Sequence, residues 1–166
     1  MIVLASPTRR VQKAALEAFA KQAQRAVGLR GSISVLLADD EELEHLNTAF
    51  RGKNKPTDVL SFPAEASLAR GGPKGHAGDI AISLETAARQ AAKFGHSLQN
   101  EVKILLLHGL LHLKGMDHET DEGEMAAKEV KLRIRLKLPA GLIARAGKKT
   151  ALRGKKTAVS RKRTAQ

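Results

Sequence analysis

The 166-residue chain contains no cysteine, tryptophan or tyrosine, and these absences exclude several kinds of site. Without cysteine it can form neither a disulfide bond nor a thiolate metal site, so a metal centre would need histidine or carboxylate ligands. Its aromatic residues are four phenylalanines, Phe19, Phe50, Phe62 and Phe94, which we expect to find in the core. Base stacking on aromatic side chains, a common way of gripping single-stranded nucleic acid, is therefore poorly supplied.

Long hydrophobic runs are also missing from the sequence. No apolar segment approaches the length of a membrane span, so we expect no association with a membrane. The N-terminus has only four apolar residues after Met1 and no basic stretch before them, which predicts that there is no signal peptide. Together with the lack of cysteine, these features lead us to expect a cytoplasmic protein.

The positive charge is concentrated at the C-terminal end of the chain. The net charge is +12, and the segment from Arg145 to Gln166 holds nine Lys or Arg residues and no acidic residue. We therefore predict a globular domain at 1–140 and a basic, disordered tail at 141–166. Such tails commonly contact phosphate backbones, although a solubilising tail without a partner would have the same composition.

The hydrophobic pattern predicts strands that alternate with helices along the domain. The predicted strands are 2–5, 32–38, 58–62 and 78–83, with a flexible loop at 64–77. Three helices are predicted at 7–27, 84–94 and 119–138. A fourth begins at a cap formed by Asp39 or Asp40 and places Leu43, Leu46 and Phe50 on its inner face. A fifth, which carries His108 and His112, is capped by Ser97. This order of elements indicates a small α/β or α+β domain with one mixed sheet.

A group of three histidines is the most informative feature of the chain. His108 and His112 are four residues apart and share one face of the predicted helix, and Gly115 can end that helix and return His118 toward them. Three neutral imidazoles around an open fourth position are typical of a catalytic zinc site. The spacing matches the metalloprotease motif His-Glu-x-x-His-x-x-Gly-x-x-His, except that Gly109 replaces the general-base glutamate.

Three segments of the chain carry a resemblance to a known family. They read Leu46-Asn47-x-x-Phe50-Arg51-Gly52-Lys53-Asn54-Lys55-Pro56-Thr57-Asp58-Val59-Leu60-Ser61-Phe62, then Gly78-Asp79-Ile80, then His108-Gly109-Leu110-Leu111-His112-Leu113-x-Gly115-x-Asp117-His118. In this order they resemble the YbeY family of bacterial rRNA maturation factors, which are metal-dependent endoribonucleases specific for single strands. The resemblance extends over residues 30 to 138.

The resemblance implies both a fold and a site. The fold would be α+β, a single domain in which a mixed four-stranded sheet is packed with helices and a central helix carries the metal site. His108, His112 and His118 would bind one metal ion, usually assigned as Zn²⁺, and Arg51 would be needed for activity, so we assign Arg51 and His112 as catalytic residues. Histidine spacing does not distinguish zinc from other divalent transition metals.

The resemblance also implies a biological role and partners. The substrate would be single-stranded rRNA, and the protein would act in maturation of the 16S rRNA 3′ end and in ribosome quality control, in association with the small ribosomal subunit and its proteins. Two features depart from the family pattern. Met116 stands where the family typically has tyrosine, and the basic tail after Pro139 lies outside the family core.

The chemistry suggested by the residues leaves alternatives open. A dication on neutral ligands keeps its charge, which suits a phosphodiester, and either acidified water or the 2′-hydroxyl of the RNA could attack. A zinc metalloprotease is disfavoured by Gly109. A ribosome-assembly factor with a structural zinc would need a fourth ligand, such as Asp117. Asp117 could instead orient one of the imidazoles, or it could face solvent. The histidines could also be packing residues without a metal.

Overall fold

The computed structural model describes residues 1–5, 8, 10–64 and 75–139, so the predicted tail at 141–166 and most of the predicted loop at 64–77 lie outside it. In these ranges it contains four strands and five helices. In chain order they are β1 (Ile2–Leu4), α1 (Lys13–Val27), β2 (Ser32–Ala38), α2 (Asp40–Arg51), β3 (Val59–Pro63), β4 (His76–Ser83), α3 (Leu84–Phe94), α4 (Leu98–Leu113) and α5 (Glu124–Arg135).

The four strands form one mixed sheet in the order β1-β2-β4-β3. β1, β2 and β4 are parallel, and β3 lies antiparallel to β4 at one edge. The register places Val35 beside Ile80 and Leu37 beside Ile82, and these side chains join a buried core with α1, α4 and α5. Leu43 of α2 packs on the opposite face of the sheet. The α+β fold with a mixed four-stranded sheet is therefore confirmed.

Helix α4 runs through the centre of the domain and is buried on almost every side. Its apolar residues are at most 1% exposed at the following positions: Val102, Ile104, Leu105, Leu106, Leu107, Leu110 and Leu111. Ser97 caps the helix, as predicted, by accepting a hydrogen bond from the Asn100 N–H. Such burial makes α4 a rigid base for functional side chains. In the described ranges, no helix is both long and apolar enough to cross a bilayer.

Two predicted helices are shorter than the sequence pattern suggests. α1 begins at Lys13 and not at residue 7, because the Gln12 backbone exchanges hydrogen bonds with the Gln99 side chain and is held outside the helix. α5 spans Glu124–Arg135 and not 119–138. Gly123 has a φ of +100° and Lys137 a φ of +56°, so the chain leaves helical geometry at both ends.

The expectation that all four phenylalanines lie in the core is wrong. Phe19 is buried and Phe62 half-buried, but Phe94 is 37% exposed and Phe50 is 69% exposed. Phe50 lies in the last turn of α2, where the helix passes the edge of the sheet, so it does not join Leu43 on the inner face.

His96, directly before the N-cap residue of α4, is not a surface residue. It is half-buried, and its Nε2 contacts the carboxylate of Glu101, which is fully buried in the first turn of α4. An imidazole at this position gives the buried carboxylate a hydrogen-bonding partner, which the pattern of apolar residues alone does not reveal.

Candidate active site

Helix α4 and the turn after it bring the three predicted histidines together. The Nε2 atoms of His108 and His112 are 3.2 Å apart. Gly115, with a φ of +94°, allows the chain to reverse, and the ring centroid of His118 then lies 5.2 Å from that of His108 and 5.5 Å from that of His112. One ring nitrogen from each residue lies within 4.8 Å of the other two. The three side chains could therefore hold one metal ion.

Glu129 fixes the orientation of His108. The His108 Nδ1 lies 3.2 Å from Glu129 Oε2, and both side chains are almost fully buried. Because an ionised carboxylate only accepts hydrogen bonds, the proton of a neutral His108 belongs on Nδ1, which leaves the lone pair on Nε2 facing the other histidines. This is the arrangement in which an imidazole offers a nitrogen to a metal.

The role of Glu129 was not predicted, although the sequence contains a signal for it. Met125, Glu129 and Leu132 are the buried residues of α5 and recur at helical spacing. An acidic residue within such an apolar face has to meet a polar partner inside the protein. The partner could not be named from the sequence, because it depends on how α5 packs against α4.

Asp117, the other carboxylate considered, organises the turn that carries His118. Its Oδ1 accepts a hydrogen bond of 3.0 Å from the Glu119 N–H, and this bond lowers the pKa of Asp117. Its backbone carbonyl accepts a further hydrogen bond from the Asp121 N–H at 3.0 Å. Asp117 therefore positions His118 through the backbone of the turn.

The electrostatic environment favours a neutral His112. Burial lowers the pKa of His112 below its usual 6.5, and the neighbouring His108 and His118 lower it further, as does Arg51, whereas Asp117 opposes the shift. A neutral imidazole keeps a lone pair available near pH 7. The donor set of three converging imidazole nitrogen atoms thus fits a divalent transition metal.

Gly109 lies where α4 packs closely on the sheet. A Cβ atom at this position would lie 3.1 Å from two carbon atoms of Ile80 and 3.1 Å from Ser61 Oγ. Ile80 is only 1% exposed, and Ser61 Oγ donates a hydrogen bond of 3.2 Å to the Gly109 carbonyl. A Cβ at position 109, the first atom of any glutamate side chain, would therefore press against residues of β3 and β4.

The histidines open into a cleft of about 610 Å³. The cleft is lined by residues of α2, β3 and the segment from α4 to the following turn: Arg51, Lys53, Thr57, Asp58, Val59, Ser61, Pro63, His108, His112, Gly115, Met116, Asp117, His118 and Glu119. Two cations and three carboxylates leave the walls with one net negative charge while the imidazoles are neutral. A bound dication would make the net charge positive, as a phosphodiester ligand requires.

Arg51 is held at the cleft by the way α2 ends. Gly52, with a φ of +65°, stops the helix directly after Arg51. The loop that follows is tied back to the buried Asn47, whose carbonyl accepts from the Lys53 N–H at 3.3 Å and whose Nδ2 donates to the Lys55 carbonyl at 2.9 Å. Thus the structure brings the guanidinium and the three histidines to one cleft, although they come from distant parts of the sequence.

Comparison with known proteins gives a consistent picture. Residues 4–137 match the family model described as Endoribonuclease YbeY. The chain is 49% identical to Endoribonuclease YbeY of Koribacter versatilis, over 89% of this chain and 93% of that protein. It is 53% identical to Endoribonuclease YbeY of Nautilia profundicola, over 68% and 78% of the two chains. The solution structure of TM1509 from Thermotoga maritima superposes with a TM-score of 0.53 at 26% identity, covering 82% of this chain and 89% of that one.

Proposed function

We propose that this chain, which belongs to the YbeY endoribonuclease family, cleaves single-stranded RNA in the cleft lined by its histidines and Arg51. The observation that carries the proposal is the convergence of three imidazole nitrogens at the floor of a cleft that also contains Arg51. Family membership supports the class of reaction, and this geometry supports the assignment of these residues to it.

In this proposal His108, His112 and His118 hold one divalent metal ion, with Zn²⁺ as the first choice. Three protein ligands leave one coordination position open, which is the pattern of catalytic zinc sites and not of structural ones. Glu129 keeps the proton of His108 on Nδ1, and Asp117 shapes the turn that presents His118. When bound, the dication would supply Lewis acidity, which acidifies water and offsets phosphate charge.

Arg51 acts on the phosphate group itself. Its planar guanidinium can donate two parallel hydrogen bonds to phosphate oxygens, and it adds positive charge where negative charge develops in the transition state. Lys53, which lines the same cleft, attracts the strand electrostatically but has no comparable directional geometry. An ion held by the three histidines would supply the activation of the attacking oxygen, while Arg51 and Lys53 bind the phosphate.

Packing argues against peptide hydrolysis in the same cleft. A metalloprotease with this histidine spacing needs a glutamate directly after the first histidine. Here that position is Gly109, and Ile80 and Ser61 occupy the space around it. A side chain there would crowd these two residues, and without the glutamate the general base of a metalloprotease is missing, so a phosphodiester fits the site better than an amide.

We further propose that the substrate is rRNA, with action at the 16S rRNA 3′ end and in quality control on the small ribosomal subunit, in the cytoplasm. Family membership supports this assignment. The basic segment at 141–166 would add nonspecific RNA affinity. Replacing its Lys and Arg residues by Gln should flatten the salt dependence of RNA binding while kcat is unchanged, and an unaltered salt dependence would contradict this role for the tail.

The decisive experiment compares wild type with His112→Ala. Metal content is measured by elemental analysis, and cleavage is measured on a single-stranded rRNA fragment. We expect one metal ion per wild-type chain, and loss of both metal and cleavage in His112→Ala with the fold retained by circular dichroism. His45→Ala is the matched control, since His45 is an exposed histidine outside the cleft.

Other outcomes would assign the protein to the competing classes. Stoichiometric metal without cleavage, even when ribosomal particles are added, would indicate an assembly factor with a structural zinc. Full cleavage by a folded His112→Ala protein would exclude the histidine site as the catalytic centre.

A further inference from the structure

Phe50 is the most exposed of the aromatic side chains that the structure describes. Its exposed fraction is 69%, compared with 6% for Phe19 and 37% for Phe94. Single exposed apolar residues are common on protein surfaces and need no explanation by themselves. The position of Phe50, directly before Arg51 at the end of α2, is what suggests a role.

The ring of Phe50 is held at the open edge of the sheet. Its centroid lies 5.3 Å from that of Phe62, with an interplanar angle of 63°, which is a favourable edge-to-face contact. Phe62 follows Ser61 on β3, and neighbouring strand residues point to opposite faces. Ser61 lines the cleft, so Phe50 and Phe62 lie on the other side of the same edge strand.

Positively charged residues follow Phe50 closely in the chain. The exposed segment from Phe50 to Pro56 contains Arg51, Lys53 and Lys55 and no acidic residue. Among the described residues, no ion pair engages any of these three cations. The loop is anchored by hydrogen bonds to Asn47, so the charges are presented from a defined backbone. A flat apolar surface next to unpaired cations matches the two parts of a nucleotide, the base and the phosphate.

We propose that Phe50 is a stacking platform for one unpaired base of the RNA substrate. The base lies against the exposed surface of the ring. The RNA strand then crosses the edge of β3 into the cleft, where its adjoining phosphates contact Arg51 and Lys53. Bases in a duplex are stacked on one another and cannot reach such a platform, which gives a physical basis for a preference for single strands. This inference rests on the proposed RNA cleavage.

The test compares Phe50→Leu with wild type in the full chain with its metal. Binding is measured by fluorescence anisotropy on a labelled, 2′-O-methylated single-stranded oligonucleotide, and kcat and KM are measured on the unmodified strand. Leucine keeps the apolar contact with Phe62 but lacks a flat ring. We expect binding to weaken about tenfold and KM to rise similarly, as for the loss of one base–aromatic stack, with kcat changed little.

Two controls separate stacking from a structural effect. Phe50→Tyr keeps a ring and should restore binding. Phe94→Leu removes the other exposed ring, which stacks on His96 near the opposite end of α4, and should not affect binding. Oligonucleotides with one abasic position complete a mutant cycle. For wild type, the abasic site should weaken binding strongly at one position of the oligonucleotide, the one whose base stacks on Phe50. For Phe50→Leu, an abasic site at that same position should cause no further loss of affinity.

The outcomes distinguish the inference from the proposed function. Unchanged RNA affinity of Phe50→Leu, while wild type binds and cleaves, would overturn the platform alone. Equal losses for every abasic position in both proteins would also overturn it, because the ring would then act without contacting a base. If Phe50→Leu lost only its association with small ribosomal subunits, the partner of the ring would be a protein. Absence of RNA binding by wild type would overturn both proposals.

Discussion

Glu129 lies 3.2 Å from His108 on the side of the imidazole that faces away from the other two histidines. The contact joins α5 to α4 within the core, where both side chains are almost fully buried. It fixes the tautomer and the rotation of one ring before any ligand arrives, and such pre-orientation strengthens metal binding.

Removal of this carboxylate should weaken metal binding. We expect Glu129→Ala to raise the Zn²⁺ dissociation constant by about 10–100-fold, measured by competition with a chromophoric chelator. Glu129→Gln retains an oxygen acceptor and should fall between wild type and the alanine variant. Glu122→Gln, an exposed acidic residue in the turn before α5, is the control. An unchanged dissociation constant in a folded Glu129→Ala protein would contradict the role of Glu129.

Replacement of Arg51 by lysine should separate charge from geometry. We expect Arg51→Lys to lower kcat by about 10²–10³-fold, because lysine keeps the charge but cannot make paired hydrogen bonds to a phosphate. Metal content should remain at the wild-type level, as Arg51 is no ligand in the proposed site. Lys53→Arg makes the converse substitution in the same cleft and should change kcat little. If the two variants changed kcat to the same extent, a special role for Arg51 would be contradicted.

Introduction of a methyl group at position 109 should destabilise the domain. Alanine gains about 1 kcal/mol of helix propensity over glycine, but overpacking in a core typically costs about 1–3 kcal/mol. Since Ile80 is buried and cannot move freely, we expect a net loss of roughly 1 kcal/mol for Gly109→Ala in urea denaturation.

A double variant checks the cause of that loss. Ile80→Val removes the Cδ1 atom that a Cβ at position 109 would approach to 3.1 Å. Ile80→Val alone also costs stability, but the double variant should be destabilised by less than the sum of the two single substitutions. Strictly additive effects would show that the Ile80 Cδ1 atom is not a source of the expected clash.

Acid unfolding should depend on Asp40. Partial burial raises its pKa, but hydrogen bonds from Ser83, Thr86 and Arg89 outweigh this effect and lower it from 3.8 to about 2. Because the folded state lowers this pKa, the carboxylate stabilises the protein above pH 3.8, and that stability is lost as the pH falls toward 2. Allowing for solvent screening, Asp40→Asn should reduce the unfolding free energy at pH 7 by about 1–2 kcal/mol.

The measurement is urea denaturation at pH 7 and at several values between 4 and 2. Wild type should lose stability more steeply than Asp40→Asn over the acid range, so that the two curves converge. Glu41→Gln, an exposed neighbour in the first turn of α2, serves as the control. Parallel curves for wild type and Asp40→Asn would refute the assignment of this acid dependence to Asp40.

Local sequence signals predicted the features that depend on local structure. The caps at Asp39 and Ser97 and the chain reversal at Gly115 agree with the sequence-based expectations, because they depend on a few neighbouring residues. The histidine cluster was predicted for the same reason, since its three members span one helix end and one turn.

Features that depend on contacts between distant segments were missed. The partner of Glu129 is 21 positions away, and the start of α1 is determined by Gln99, which is 87 positions from Gln12. Phe50 follows the helical spacing of Leu43, so only the position of the sheet edge shows that it is exposed. Periodicity describes one element at a time and carries no information about where its neighbour ends.

The three histidines differ in how firmly they are anchored. His108 and His112 belong to the buried helix α4, whereas His118 lies on an exposed turn. Exposed turns open locally at a small fraction of the free energy needed to unfold a core helix. A metal ion bound by all three histidines would therefore lose its bond to His118 first, at a rate set by the local opening of this turn.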